Sequence, residues 1–516
     1  MKKTNLLFGA LTAFTISANA FCGFYVAKAG GKLFNESSQV ILARNSETNR
    51  NTITMANDYQ GDFSEFAMVV PVPVILKEDE IKVIQKDLFE RFDSYSAPRL
   101  TEYFDRNPCY TDVQRYKALA MSDSNFEMVE EEASMNIKYE GVKIEAKYEI
   151  GEYDILILSA TESNGLKNWL TDNDYKIPSG ADEVLTPYIK DNMKFFVAKV
   201  NTERLNQRRG NYLSPIQISF THKKFMLPIR LGMANANGTQ DLIVYALTQN
   251  GRVETSNYRT QEMPSNQKIP LFVEGVFGDF YKSVFSKKWT NNKSSVFVEY
   301  AWNLDGKNFT KCDPCNTTPP ASQELLNAGV DWLNMNQNNW GSSYQGNLHF
   351  TRLHVRYDRE HFPQDLAFTE TKNKQNFQCR YVLTHPANIS DELCDQVLPY
   401  YKKVQKRRGD EMNNLTDITW WEANRYQAYL KKYKTKIASL EVQEKDDENN
   451  LLPVFPKGYT PNQLLIISAG ILLILCSILR LAFSKKKQMY SLNKKGVTVT
   501  KTELNGFNLI CFNFFR

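Results

Sequence analysis

The sequence predicts an α+β protein: a mixed or antiparallel, sheet-rich ectodomain, a C-terminal helical region and a single transmembrane helix. Three observations carry this. Leu464 to Phe483 is an apolar run of 20 residues, which as a helix extends about 30 Å, the thickness of a bilayer's hydrocarbon core. Between residues 39 and 383, short apolar or β-branched runs recur between turn-forming residues, the pattern of strands joined by turns. From Asp391 onward the pattern turns helical and strongly charged.

The two ends set the expected topology. Met1 to Ala20 reads as a secretory signal: Lys2 and Lys3, then apolar Leu6 to Ile16, then Ala18-Asn19-Ala20 as a cleavage site. Lys485, Lys486 and Lys487 follow the apolar run at once, so the positive-inside rule places the tail, 484–516, in the cytoplasm. Everything between leader and span then faces outward. Of 63 Lys and Arg and 58 Asp and Glu, two lysines lie in the leader, and eight basic residues with one acid lie in 480–516. The outward part therefore carries 53 basic against 57 acidic residues. The basic balance belongs to the ends, and nothing in the body advertises nucleic-acid binding.

In chain order, 21–390 reads as the α+β ectodomain, with room for two lobes broken near 201–214. Gln39 to Ala43 and Thr52 to Met55 are short strands. Phe66 to Val74 is a strand covered on both faces, whose far half Pro71 and Pro73 turn into an edge, a bulge or extended chain. Lys77 to Phe92 has helical spacing, with Ile81, Ile84, Leu88 and Phe92 on one stripe. Asn136 to Glu149 looks like a hairpin around Glu140-Gly141. Tyr153 to Leu158 and Met193 to Val200 are strands flanking helices Ser163 to Leu170 and Ala181 to Ile189, an order that suggests a βαβ-like crossover. Four β-like runs follow: Pro215 to Thr221, Phe225 to Leu231, Leu242 to Thr248 and Arg252 to Tyr258. Phe272 to Trp289 and Ser322 to Leu333 read as helices, Asn334 to Gly346 as loop. Val296 to Trp302, Leu348 to Tyr357, Leu366 to Thr371 and Phe377 to Leu383 read as strands. A helical extension, 391–440, is interrupted near Gly409; an acidic, Pro-containing stalk, 441–463, leads to the span at 464–483.

Six cysteines lie outside: Cys22, Cys109, Cys312, Cys315, Cys379 and Cys394. An even number in an oxidising compartment argues for disulfides, and the preferred pairing is Cys22–Cys109, Cys312–Cys315 and Cys379–Cys394. The Cys312-x-x-Cys315 pair is the sharpest chemical candidate. A thioredoxin-type site needs its first thiolate at a helix N-terminus, whereas Pro319 and Pro320 delay any helix here to about Ser322. A zinc site needs a second pair at ligand spacing, and Cys379 and Cys394 are 15 apart. The structural bond is the reading taken.

Several segments resemble the bacterial DUF2330 proteins, a family of unknown function. They are Cys22 to Val26, Met55-Ala56-Asn57-Asp58-Tyr59-Gln60-Gly61, Phe66 to Pro73, Asp93 to Leu100, Tyr153 to Ala160, Cys312-Asp313-Pro314-Cys315 and Thr351 to Tyr357. In consecutive order they cover about residues 22 to 400. The resemblance implies a bacterial exported protein, often membrane-attached, and carries over no catalytic residue or ligand. Cys379 stands where the family is expected to have glycine, which makes a Cys379–Cys394 bridge a feature of this branch.

His354, Arg356 and Asp358 alternate along a strand and so share a face, with His349 before them and Glu360 and His361 after. Such a set can bind a divalent ion or work as acid and base, but its spacing matches no short catalytic motif; a cross-strand pair between Arg356 and Asp358 is the plainer account. Asn57, Asp58 and Asp62 resemble a calcium turn, for which a self-satisfied surface turn is simpler. Lys402, Lys403, Lys406, Arg407 and Arg408 give the helical region a basic face, read as solvated rather than lipid-bound. Trp420, Trp421, Tyr426 and Tyr429 read as the stripe docking that helix on the body. No dinucleotide, phosphate-loop, zinc-protease or serine-elbow motif occurs. The expected role is a membrane-anchored extracytoplasmic module for binding or assembly in the bacterial cell envelope, without a cofactor, its partners the bilayer through 464–483 and an unknown envelope protein or ligand. The alternative is an envelope enzyme, either a CxxC thiol-disulfide oxidoreductase or a metal-assisted hydrolase built on His354 and His361.

Overall fold

Strand Gln240–Thr248 alternates Leu242, Val244 and Ala246 on one side with Ile243, Tyr245 and Leu247 on the other. Both sides are apolar, so this strand needs cover on both faces, and the architecture follows from it. The structure, a computed structural model, describes residues 24–28, 34–35, 38–56, 59–60, 66–109, 142–173, 175–176, 181–207, 212–234, 238–304, 318–338, 341–389 and 394–450. The predicted leader 1–20, Cys22, Cys312, Cys315, Asp62 and the span 464–483 lie outside the described residues. Among the described residues no helix is long and apolar enough to cross a membrane.

The larger sheet runs, edge to edge, Arg259–Glu262, Ser295–Asn303, His349–Tyr357, Gln240–Thr248, Ser38–Asn45, Arg50–Met55, Ile216–Thr221 and Ile81–Val83, with Phe377–Gln378 beside Ser295–Asn303. It is mixed: Gln240–Thr248 pairs in parallel with Ser38–Asn45 and antiparallel with His349–Tyr357. The smaller sheet, Tyr175–Lys176, Phe24–Lys28, Phe66–Val72, Lys194–Val200, Tyr153–Ala160 and Val142–Ile150, is antiparallel throughout. One apolar core joins the two: Val40, Leu42, Val244 and Leu353 come from the larger sheet, Met68, Val70, Ile155 and Phe196 from the smaller. The outer face of the smaller sheet is covered by helices Ser163–Asp172 and Ala181–Lys190 through Leu166, Leu170, Leu185 and Tyr188.

Two helices cover the outer face of the larger sheet. Asp87–Ser96 buries Leu88, Phe89, Phe92 and Tyr95 against Tyr245 and Phe350. At about 1.5–3 kcal/mol per buried large apolar side chain, these contacts outweigh the weak helix propensity of a ten-residue segment. Phe277–Thr290 lays Phe280, Val284 and Phe285 against Phe297, and Val397–Ile418 backs it with Met412 and Leu415. Trp421 and Tyr426 pack on Phe280 and Phe272 as expected, whereas Trp420 is 57% exposed. The described residues as far as Ala438 form one compact unit, and core residues from both sides of the 201–214 segment share one apolar cluster.

Most strand expectations hold, and so does the effect of Pro71. On one side Phe24–Lys28 pairs with Phe66–Val72 as far as Val69; beyond it only the Lys194–Val200 flank is paired, which spares the missing N–H of Pro71 a ladder partner. Other expectations change. Lys77 to Phe92 is no single helix: Ile81–Val83 is a strand paired with Ile216–Ile218, and the helix starts at Asp87. An edge-pairing partner outweighs helical periodicity there. Val142–Ile150 and Tyr153–Ala160 form a hairpin about Gly151, at φ +58°, while the turn expected at Glu140-Gly141 lies outside the described residues. Tyr153–Ala160 and Lys194–Val200 are antiparallel, so the two helices between them make no βαβ crossover. Asn334 to Gly346, expected as loop, holds paired strands Asn334–Asn338 and Gly341–Gln345. Helix Val397–Ile418 passes through Gly409 unbroken and ends at Thr419; a further helix, Lys434–Asn450, reaches into the stretch read as a stalk.

Candidate functional site

The polar centre of the fold begins with a bulge. Strands Ser295–Asn303 and His349–Tyr357 match Phe297 to His354 and Val298 to Leu353, then jump to Tyr300 opposite Arg352. Glu299 is the extra residue, and a bulge re-aims the side chain it carries. Its carboxylate lands between two cross-strand neighbours. It accepts a hydrogen bond from Arg352 Nε at 2.6 Å and lies 2.8 Å from His354 Nδ1, and the Tyr281 hydroxyl donates from the covering helix.

From there the network runs in two directions. Arg352 donates to Asp93 Oδ1 of helix Asp87–Ser96 at 2.7 Å, and Tyr245 OH donates to the same carboxylate at 3.1 Å. On the other side His354 Nε2 lies 3.4 Å from Asp241 Oδ1, and Asp241 takes a two-pronged contact from Arg356 at 2.8 Å and 2.8 Å. Phe285 stacks on the imidazole of His354 at 3.7 Å between centroids, and the Arg356 guanidinium lies over Phe285 and Trp289.

The electrostatics match this geometry. Burial by itself raises the Glu299 carboxyl, but the charges of His354 and Arg352, with hydrogen bonds from His354 and Tyr281, hold it down at about 2. Burial lowers His354, yet Glu299 and Asp241 outweigh that and raise it above its ordinary 6.5. Asp241, also penalised by burial, is held well below the usual carboxylate range by His354 and Arg356. Burial pushes the Tyr281 hydroxyl up, and Glu299 adds to it.

The expected cluster is thus split. Arg352, which no local motif marks, is central, and Arg356 pairs with Asp241 rather than with Asp358. Asp358 turns to His361, whose ring Nδ1 lies 2.8 Å from both carboxylate oxygens and whose backbone N–H donates to Oδ1 at 2.8 Å. His354 and His361 therefore have separate carboxylates, and among the described residues neither joins a group of three ligands converging within 4.8 Å. His349 is buried on the opposite face of its strand; burial, with Arg252 and Lys374 nearby, pushes it down to about 4. A cleft of about 180 Å³ lies at the other edge of the larger sheet, lined by Arg50, Asp79, Lys82, Gln217 and Asp331 among others, and does not reach the network.

The cysteines also differ from expectation. Cys109 bonds to Cys394, across 285 residues and a Cα separation of 5.9 Å, so neither Cys22–Cys109 nor Cys379–Cys394 forms. Cys379 is a free, buried thiol, 3.5 Å from Tyr381 OH, and burial pushes it far above ordinary thiol values. It sits between strands Phe377–Gln378 and Arg380–His385, its N–H donating to Glu299 O at 2.8 Å, while Cys394 stands before helix Val397–Ile418. Beside the bond, Arg407 and Tyr400 of that helix hold Asp105 at 2.7–3.0 Å.

The family of uncharacterised proteins conserved in bacteria, DUF2330, matches residues 16–369. This chain belongs to that family. The DUF2330 match takes in both sheets' principal strands, the Glu299 bulge, His354 and the Asp358–His361 turn, and ends before Cys379, Cys394 and the C-terminal helices. No curated protein and no solved structure matches the chain.

Proposed function

We propose that this DUF2330 chain is an extracytoplasmic module, anchored at the bacterial cytoplasmic membrane, whose work is binding or assembly in the envelope. The observation that carries the reading is how His354 is used. Glu299 and Asp241 face its two ring nitrogens, Phe285 covers its face, and the neighbouring Arg352 and Arg356 are committed to carboxylates. A general acid or base must reach a substrate proton, and this imidazole is 13% exposed, its Nδ1 held by Glu299 and its Nε2 turned toward Asp241. The Cys109–Cys394 bond supports export, since disulfides persist in oxidising compartments.

A reporter phosphatase fused just before Leu464 is expected to be active outside the cytoplasmic membrane; activity confined to the cytosol overturns the placement. Cross-linking in intact cells is expected to yield one discrete adduct of the wild-type chain, retained in His354→Gln. Loss of a metal-dependent hydrolytic activity in that variant instead favours the enzyme reading.

A further inference from the structure

We infer that Glu102, Glu274 and His385 form a binding site for a divalent transition-metal cation. Glu102 lies in strand Arg99–Phe104 and His385 ends strand Arg380–His385. The two strands are parallel, with Leu383 opposite Glu102 and His385 opposite Phe104. Glu274 comes from the short helical turn Leu271–Val276, whose approach is tied to the same strand by Ile269 N–H donating to Val382 O at 3.0 Å. One ligand atom from each side chain lies within 4.8 Å of the other two.

The set is mixed in donor type and drawn from three elements. His385 Nε2 is 2.9 Å from Glu102 Oε2, and Phe104 stacks on the imidazole at 4.4 Å and 12° while remaining 70% exposed. The ring is therefore held in one plane with its edge toward the carboxylates. Among the described residues no Lys or Arg pairs with Glu102 or Glu274, so two like charges converge beside an imidazole without a cation to balance them. One nitrogen and two carboxylate oxygens suit Mn²⁺, Fe²⁺ or Zn²⁺ better than Mg²⁺ or Ca²⁺, which take all-oxygen shells. Three protein ligands leave further positions for water.

Mn²⁺ is the probe of choice, because it favours oxygen and nitrogen over the cysteine thiols elsewhere in the chain. The detergent-extracted full chain is titrated and free Mn²⁺ counted by electron paramagnetic resonance. The wild type is expected to bind one equivalent that excess Mg²⁺ does not release. Glu102→Gln, Glu274→Gln and His385→Asn should each weaken binding at least tenfold, while Glu422→Gln, at an exposed acid paired with Arg425, leaves it unchanged. Glu274 is exposed, so its variant keeps the test intact if His385→Asn proves unstable. A wild type without a saturable site, release by Mg²⁺, or a Glu274→Gln chain binding as tightly as wild type overturns the assignment.

Discussion

Glu299 and Arg352 form an ion pair at 2.6 Å with side chains only 1% and 7% exposed, and the pair exists because a one-residue bulge turns Glu299 toward the helices. Removing one partner leaves an uncompensated charge in the interior. Arg352→Met is therefore expected to destabilise the fold by about 3–5 kcal/mol. Glu299→Leu combined with Arg352→Met should cost clearly less than the two single changes summed, because both charges leave together. Urea denaturation of the four proteins of that cycle checks it; additivity would mean that the pair is not coupled.

Stability should depend on pH with opposite signs at two histidines. His354 is raised above 6.5, so the stability it contributes is full below that value and fades as pH rises through its folded pKa. His349 is depressed to about 4 and buried neutral, so the unfolded chain binds the extra proton; stability is lost as pH falls from 6.5 toward 4. Glu299, at about 2 against an ordinary 4.5, adds a further loss as pH falls through that interval. Thermal melting across this range should show the loss between pH 6.5 and 4 shrink in His349→Gln. In His354→Gln the loss above pH 6.5 should shrink instead.

Gly329 adopts φ +90°, and a Cβ there would meet the Thr52 side chain. Thr52 lies in the larger sheet and bonds Ser219 at 2.8 Å, so it has little freedom to withdraw. Gly329→Ala is expected to cost about 1–3 kcal/mol, read as a lowered urea midpoint with an unchanged slope.

The Cys109–Cys394 bond ties the strand next to Asp105 to the start of the C-terminal helix. Cys109→Ala with Cys394→Ala should lower stability by about 2–5 kcal/mol. Non-reducing peptide mapping should recover a fragment joining the two cysteines. Cys379 should resist alkylation until the chain is unfolded, because its thiol is buried and held protonated. A mapped Cys379–Cys394 fragment would contradict the structure.

Much of the strand inventory was legible from residue pattern, because apolar alternation at Gln240–Thr248 or Tyr153–Ala160 reports local burial directly. Structure departs from local pattern where a distant partner decides the outcome. Ile81–Val83 pairs with residues near 217, and the bulge at Glu299 leaves no mark in the spacing of its neighbours. At the polar centre, His354 and Arg356 were visible as alternating residues on one strand. Arg352, Asp241, Asp93 and Glu299 were not, since they meet across separations of 53 to 259 residues.

By itself the sequence determined the α+β class, the family and most strand positions, all of which rest on local periodicity and short runs of residues. Only the tertiary structure decided which charges neutralise one another and which cysteines meet. Those outcomes depend on register and packing between elements far apart in the chain. A side chain's own neighbours in sequence do not encode the carboxylate or sulfur that folding brings beside it.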